Sequence, residues 1–287
     1  ANWDTPQTVT VTGVDDGFVD GTITSTITVA VDDANSDDDF DSVADQTVSV
    51  DTLDDDVAGF TIEETDGSTE VDEAGSTDTF TVVLDAQPTS DVVLTITSES
   101  TTEASVNPSS VTFTSENWDT PQTVTVTGVD ENVVDGDQTT NITIAILDTA
   151  SDDNFDDLAD QTVSVDTLDD DAAGFTIEET DAATEVDESG TTDTFTIVLD
   201  AEPTSDVVLT ITSDDTGEAT VPATVTFTAA DWDTPQTVTV TGVDDSIIDG
   251  TITSTITIAV DDANSNDSFD DLADQTVSVD TLDDDAA

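Results

Sequence analysis

The chain contains no lysine, arginine, histidine, cysteine, methionine or tyrosine. Each absence closes a class of function. Nucleic acid is held by cations that displace phosphate counterions, and none is available. Direct binding to an anionic membrane surface needs the same groups and is excluded with it. Without His, Cys, Lys or Tyr, most general bases and nucleophiles are missing. Neither a disulfide nor a thiolate metal site can form. No apolar run approaches membrane-spanning length, and no secretory leader is visible, so the chain reads as mature or excised. What is present is acid: 70 Asp and Glu among 287 residues, for a formal charge of −70. Ordinary chains give about a quarter of their residues to charge of both signs; here acids alone fill 24%. Only carboxylates and hydroxyls remain as reactive groups, and a surplus of carboxylates suits hard cations, calcium above all.

High net charge with few aromatics is also the signature of disorder. The 34% of hydrophobic residues, however, are not scattered. Thr-Val-Thr-Val at 8–11, Thr-Phe-Thr-Val at 79–82 and Asn-Ile-Thr-Ile at 141–144 alternate with the period of half-buried strands. The chain reads as folded and all-β. It also repeats. Trp3, Trp118 and Trp232, each within an Asn/Asp-Trp-Asp-Thr-Pro-Gln hexapeptide, recur 115 and 114 residues apart. The string Ala-Asp-Gln-Thr-Val-Ser-Val-Asp-Thr-Leu-Asp-Asp-Asp begins at 44, 159 and 273. A unit of this length suits one β-sandwich, which gives the C-terminal half of a repeat at 1–57 and complete repeats at 58–172 and 173–287.

In the middle repeat seven strands are expected, at 60–63, 79–84, 92–97, 111–114, 123–127, 141–147 and 162–165. Short, regular, turn-bounded strands point to tandem immunoglobulin-like, seven-stranded antiparallel β-sandwiches strung end to end. Trp118 is expected as a plug at the core or its rim, beside Pro121. If strands run up and down between two ends, an odd number makes chain arrival and departure fall at opposite ends. The first, third and fifth loops (70–75, 99–107, 130–138) then share one end with the closing Asp-Asp-Asp at 169–171, and the long acidic sixth loop (148–160) lies at the other.

The fifth loops read Val-Asp-Asp-Gly-Phe-Val-Asp-Gly (14–21), Val-Asp-Glu-Asn-Val-Val-Asp-Gly (129–136) and Val-Asp-Asp-Ser-Ile-Ile-Asp-Gly (243–250). Each has paired acids and a third acid four residues on: Asp15, Asp16 and Asp20; Asp130, Glu131 and Asp135; Asp244, Asp245 and Asp249. Such a loop can turn several carboxylates and one backbone carbonyl onto a single cation. Asp54 to Asp56 (including Asp55), Asp169 to Asp171 (including Asp170) and Asp283 to Asp285 (including Asp284) add three acids at the same end. Carboxylates this close raise one another's pKa unless a cation intervenes, and calcium's flexible shell of six to eight oxygens fits such a cluster better than magnesium's octahedron. The competing reading is a solvated acidic surface. A second, weaker candidate is the sixth loop, where Asp33, Asn35, Asp37, Asp39 and Asp41 resemble the opening of an EF-hand loop. Asp38 stands where that loop needs Gly and Ala44 where it needs Glu. The middle copy offers Asp148, Asp152 and Asp156; the last keeps Asp262, Asn264 and Asp270 but has Asn266 and Ser268 in place of acids.

With Val-Asp-Glu-x-Gly after the first strand, the Val-Asp-Asp/Glu loop and the terminal Asp triplet, each complete repeat resembles the Calx-β domain. That calcium-binding sandwich occurs in sodium/calcium exchangers and long bacterial surface proteins. The resemblance implies as calcium ligands Glu73, Asp130, Glu131, Asp135 and Asp169 to Asp171, with the Val133 carbonyl, and Glu188, Asp244, Asp245, Asp249 and Asp283 to Asp285, with the Ile247 carbonyl in the last repeat. The half repeat keeps Asp15, Asp16, Asp20 and Asp54 to Asp56 but lacks the Glu. One further acid of the family pattern is replaced by Ile23, Gln138 and Ile252. The Thr-Pro-Gln-Thr-Val-Thr-Val-Thr-Gly stretch also looks like the tandem repeats of giant bacterial and archaeal surface proteins.

The expected function is structural and not enzymatic: an extracellular, cell-surface rod, as an adhesin stalk or surface filament, with several calcium ions per repeat. Its expected partners are calcium, and either further copies of the chain or its own continuation in a longer tandem array. A calcium-sensing regulatory module and a salt-adapted surface-layer protein without specific sites are the alternatives. A glycoside hydrolase using paired carboxylates is disfavoured, because nothing singles out one pair and no aromatic platform accompanies it.

Overall fold

The computed structural model describes residues 3–285; the outermost two at each end, which belong to the expected 1–57 and 173–287 segments, lie outside it. Two compact units are formed. The first comprises Ala1–Val71, Ser76–Gly128 and Thr139–Asp166, and the second Asp72–Gly75, Val129–Gln138 and Thr167–Ala287.

The second unit holds the last β-sandwich. Its four-stranded sheet runs Phe175–Glu179, Thr192–Leu199, Gln236–Gly242, Ala219–Thr220, and its five-stranded sheet Thr184–Asp187, Gln275–Leu282, Ile252–Val260, Val207–Ser213, Thr224–Phe227. The Thr/apolar alternation sets the inner faces. Phe195 and Ile197 from one sheet and Leu209, Ile256 and Ile258 from the other are fully buried in one core cluster. Phe195 lies directly opposite Val238, itself fully buried, and cross-strand pairs of this kind hold a register. Burying each such side chain contributes about 1.5–3 kcal/mol, which is how a chain with so much acid still folds. The middle repeat has the same strand order in its two sheets, around Phe80, Phe113, Ile142 and Ile144.

Each complete sandwich therefore has nine strands where seven were expected. The expected first strand forms, as Phe60–Glu64 and Phe175–Glu179, and a further strand, Thr69–Asp72 and Thr184–Asp187, follows it where the first loop was expected. Phe175–Glu179 pairs antiparallel with Thr192–Leu199, while Thr184–Asp187 crosses to the other sheet and pairs parallel with Gln275–Leu282. The switch is made by the Thr180–Ala182 turn, where Asp181 and Ala182 adopt positive φ of 56° and 66°. The second addition is Ala219–Thr220, matched by Ala104–Asn107 in the middle repeat. Two to four residues are too short for period-two alternation to register in sequence. Trp118 and Trp232 are half-buried against their cores, and each backbone carbonyl accepts an N–H from the neighbouring strand, Leu84 at 3.2 Å and Leu199 at 3.1 Å. Trp3 is 90% exposed.

The half repeat departs from expectation at 8–11, which lies in no strand. Its two strands, Ile23–Val29 and Gln46–Thr52, pair as an antiparallel ladder. In the last repeat the corresponding strand, Gln236–Gly242, is held between Thr192–Leu199 and Ala219–Thr220. Among the described residues no strand pairs with 8–11, and Val9 and Val48 are exposed. Among the described residues no helix is long and apolar enough to cross a membrane.

Candidate metal centre

The added strand Thr184–Asp187 delivers the key acid. Parallel pairing places Asp187 opposite Leu282, so the next residue, Glu188, arrives beside Asp283 to Asp285. The Glu188 N–H donates to the Leu282 carbonyl at 3.1 Å. Its side chain is only 1% exposed, and neither carboxylate oxygen has a hydrogen-bond partner. This close approach requires Gly242: a Cβ there would lie 2.1 Å from the Asp187 carbonyl oxygen.

The fifth loop closes over the same spot. Asp283 accepts the Gly250 N–H at 2.9 Å and the Asp285 N–H at 2.8 Å, and Gly250 supplies the φ of +77° the turn needs. The same clamp recurs. Asp169 accepts from Gly136 at 2.7 Å and Asp171 at 2.8 Å, and Asp54 accepts from Gly21 at 2.7 Å and Asp56 at 2.9 Å. The first acid of each triplet thus pins the loop. These N–H groups hold Asp283 and Asp54 below the usual carboxylate range, the Gly250 bond leading for Asp283 and the Asp56 bond for Asp54.

Among the described residues, carboxylate oxygens converge within 4.8 Å of one another in four groups: Glu73 with Asp169 and Asp171; Glu73 with Glu131 and Asp135; Glu188 with Asp245 and Asp285; and Glu218 with Asp245 and Asp249. Two oxygens on one calcium, each about 2.3–2.6 Å from it, lie up to about 5 Å apart, so each spacing fits a shared ion. In each complete repeat one acid serves both groups, Glu73 in the middle and Asp245 in the last. Sequence reasoning missed Glu218. It comes from the third loop, positioned by its carbonyl, which accepts the Val243 N–H at 2.9 Å and the Thr281 hydroxyl at 3.4 Å. The available signal was Glu103, 115 residues earlier in an otherwise hydroxyl-rich loop.

Electrostatics mark the same atoms. Burial, then Asp245, Asp283, Asp249 and Glu218, pushes Glu188 up to about 7. Burial, then Asp249, Asp215, Asp245 and Asp283, raises Glu218. Asp171, Asp285 and Asp56 are raised first by burial and then by the neighbouring acids of their own triplets and fifth loops. In a chain without a basic side chain, these carboxylates can be neutralised only by protons or by cations from solution. Orphaned, buried, acceptor-only oxygens fit a hard cation.

The remaining expected ligands fall outside these groups. Asp130, Asp170, Asp244, Asp283 and Asp284 belong to no convergent triad among the described residues. The Val133 carbonyl accepts the Asp135 N–H at 2.9 Å, and the Ile247 N–H donates to the Asp245 carboxylate at 2.6 Å. In the half repeat Asp15, Asp16, Asp20 and Asp54 to Asp56 line an open cleft of about 410 Å³ together with apolar residues such as Val11 and Ile27. No three of them are among the convergent groups of the described residues, in contrast to the ligand set expected there, and the half repeat lacks the Glu that stands at 73 and 188 in the complete repeats.

The sixth loop has a different use. Asp152 is buried and accepts the Thr89 hydroxyl at 2.6 Å and the Thr89 and Ser90 N–H groups at 2.7 and 2.9 Å. Burial works to raise its pKa, but these bonds and that from Asn154 outweigh it and hold it below the usual range. Asn266 occupies the same place in the last repeat, accepting from Ser268 and donating to Thr204. Asp37 accepts the Asp39 N–H at 3.1 Å in the half repeat. Asp33, Asp39 and Asp148 are exposed, and Asp156 is raised by burial and by Asp148, Asp153, Asp157 and Asp152.

No protein-family model matches the chain, and no curated protein matches it. Among solved structures, one similar chain is a protein of unknown function from Porphyromonas gingivalis W83, 10% identical, with a TM-score of 0.27, covering 78% of this chain and 99% of that one. A calcium binding domain, CBD12 of CALX1.1, is 13% identical with a TM-score of 0.26, covering 69% and 80%. Domains 5–6 of the S-layer protein SbsC are 22% identical with a TM-score of 0.26, covering 79% and 99%. These likenesses are distant, and the chemistry of the clusters stands on this chain's own carboxylates.

Proposed function

We propose that this chain is a stretch of an extracellular, non-enzymatic, calcium-rigidified tandem-repeat protein, a surface filament or adhesin stalk, with repeat boundaries at 58 and 173. The observation that carries the reading is Glu188: buried, with both oxygens unpartnered, and faced by Asp245 and Asp285 in a chain that has no cation of its own. In the last repeat Glu188, Glu218, Asp245, Asp249 and Asp285 would hold calcium, and in the middle repeat Glu73, Glu131, Asp135, Asp169 and Asp171 would do so. The bound ion supplies positive charge that ties the added strand, the fifth loop and the closing triplet of one sandwich together. Without it the acids repel, and the segments leaving each sandwich loosen. Near-identical repeats favour a load-bearing role over a sensor, in which copies would differentiate. Small-angle scattering in calcium and after chelation tests the reading. The maximum dimension is expected to hold in calcium and to change with broadened flexibility on chelation; an unchanged profile would sink the rigidifying role.

A further inference from the structure

Inside each acidic fifth loop sits one apolar pair: Phe18 and Val19, Val133 and Val134, Ile247 and Ile248. Cation binding does not call for apolar side chains, but the first two copies show what the pair does. Phe18 forms a parallel bridge with Gln87. The Val19 N–H donates to the Gln87 carbonyl at 3.0 Å, the Gln87 N–H to the Gly17 carbonyl at 2.9 Å, and the Asn154 amide to the Val19 carbonyl at 2.7 Å. Val19 is thereby reduced to 9% exposure. One repeat on, Val133 and Val134 pair in parallel with Glu202 and Pro203. The Glu202 N–H donates to the Asn132 carbonyl at 2.6 Å, and the Ser268 hydroxyl reaches the Val134 carbonyl at 3.5 Å. Gln87 and Glu202 are 115 residues apart, and Asn154 and Ser268 are 114 apart. One loop, then, docks twice on one receiving edge of the repeat that follows it.

The third copy is open. Ile247 and Ile248 are 61% and 57% exposed, and among the described residues no strand or bridge pairs with them. We propose that Ile247–Ile248 is the connector edge for one further repeat of this kind, whose Glu202-type residue pairs with it in parallel. The occupant follows from the two docked copies. Both receiving edges in this chain, Gln87 and Glu202, are already taken, so a rearrangement of the same chain does not satisfy the third. An unpaired edge with two β-branched side chains is what strand addition uses. The docking consists of backbone hydrogen bonds and apolar burial, so it stands apart from the cation reading.

The absence of cysteine makes a covalent test clean. The full chain is extended after Ala287 by a second copy of 173–287. One pair of cysteines is introduced as Ile247→Cys and Glu→Cys at the appended copy's equivalent of Glu202. A control carries Val133→Cys with Glu202→Cys in the same extended chain, positions that are Cα partners and so fall within the roughly 4.4–6.8 Å that a disulfide spans. Both pairs are expected to close under mild oxidation to a similar extent, read as the loss of two hydrogens by intact mass and as protection from alkylation. Closure of the control without closure at Ile247 overturns the proposal. Failure of the control overturns the docking from which the third copy's pairing is inferred, and the proposal with it. Calcium occupancy is not read by either bond, so a failed cation reading leaves the outcome distinguishable.

Discussion

Glu188 is a carboxylate removed from water with nothing to accept from. Replacing it by Gln removes the charge and keeps the shape. In calcium-free solution Glu188→Gln is expected to raise the melting temperature, because a repelled, desolvated charge is gone. In calcium the same change is expected to weaken binding about tenfold or more, since a charged ligand has been lost. Thermal melts and calorimetric titration of the two proteins check both arms. The pH dependence has a definite sign. With Glu188 pushed up to about 7 in the folded chain from an ordinary value of 4.5, the folded state holds a proton between those values that the unfolded state has released. Stability of the metal-free chain therefore falls as pH rises from about 4.5 to about 7. Melting temperatures of the metal-stripped protein across that range are expected to decline toward neutrality, and saturating calcium to flatten the decline.

The elements around Glu188 are built for close approach. Gly242→Ala would drive a Cβ to 2.1 Å from the Asp187 carbonyl; the strand must shift, at about 1–3 kcal/mol by the usual cost of overpacking. Denaturant unfolding is expected to show that loss, with a parallel drop in calcium affinity because Asp187 carries Glu188 with it. In the sixth loop Asp152 organises the Thr89–Ser90 turn, so Asp152→Ala is expected to cost about 1–3 kcal/mol for a stranded buried donor. Asp152→Asn should stay near wild type, because Asn266 fills that place in the last repeat. Unchanged calcium stoichiometry in Asp152→Asn would separate this role from a ligand's. At this scale the sequence was readable where a signal was long. The Thr/apolar strands at 79–84 and 92–97, the repeat, and Glu73, Glu188 and the Asp triplets were all visible. The parallel Thr184–Asp187 strand was not, because four residues give too little alternation. Glu218 was hidden because its loop also carries Asp214 and Asp215, and no recurring motif singles it out. The stretch at 8–11 alternates as a strand should but finds no pairing partner among the described residues.

For the whole molecule, the missing basic side chains and the clustered acids make one system. No basic side chain is present to neutralise the clusters from within the chain, so stability is tied to what the solvent supplies. Monovalent salt screens exposed charges but reaches buried ones weakly. Chelation is therefore expected to lower the melting temperature far more than raising sodium chloride can restore. The measurement that bears most directly on this account is the number of calcium ions bound per chain, by titration calorimetry paired with native mass on chelator-treated protein. Two convergent groups in each of the two complete repeats lead us to expect at least four, with Glu188→Gln reducing those of the last repeat alone. Weak, unsaturable uptake that falls away in salt and is indifferent to Glu188→Gln would contradict it.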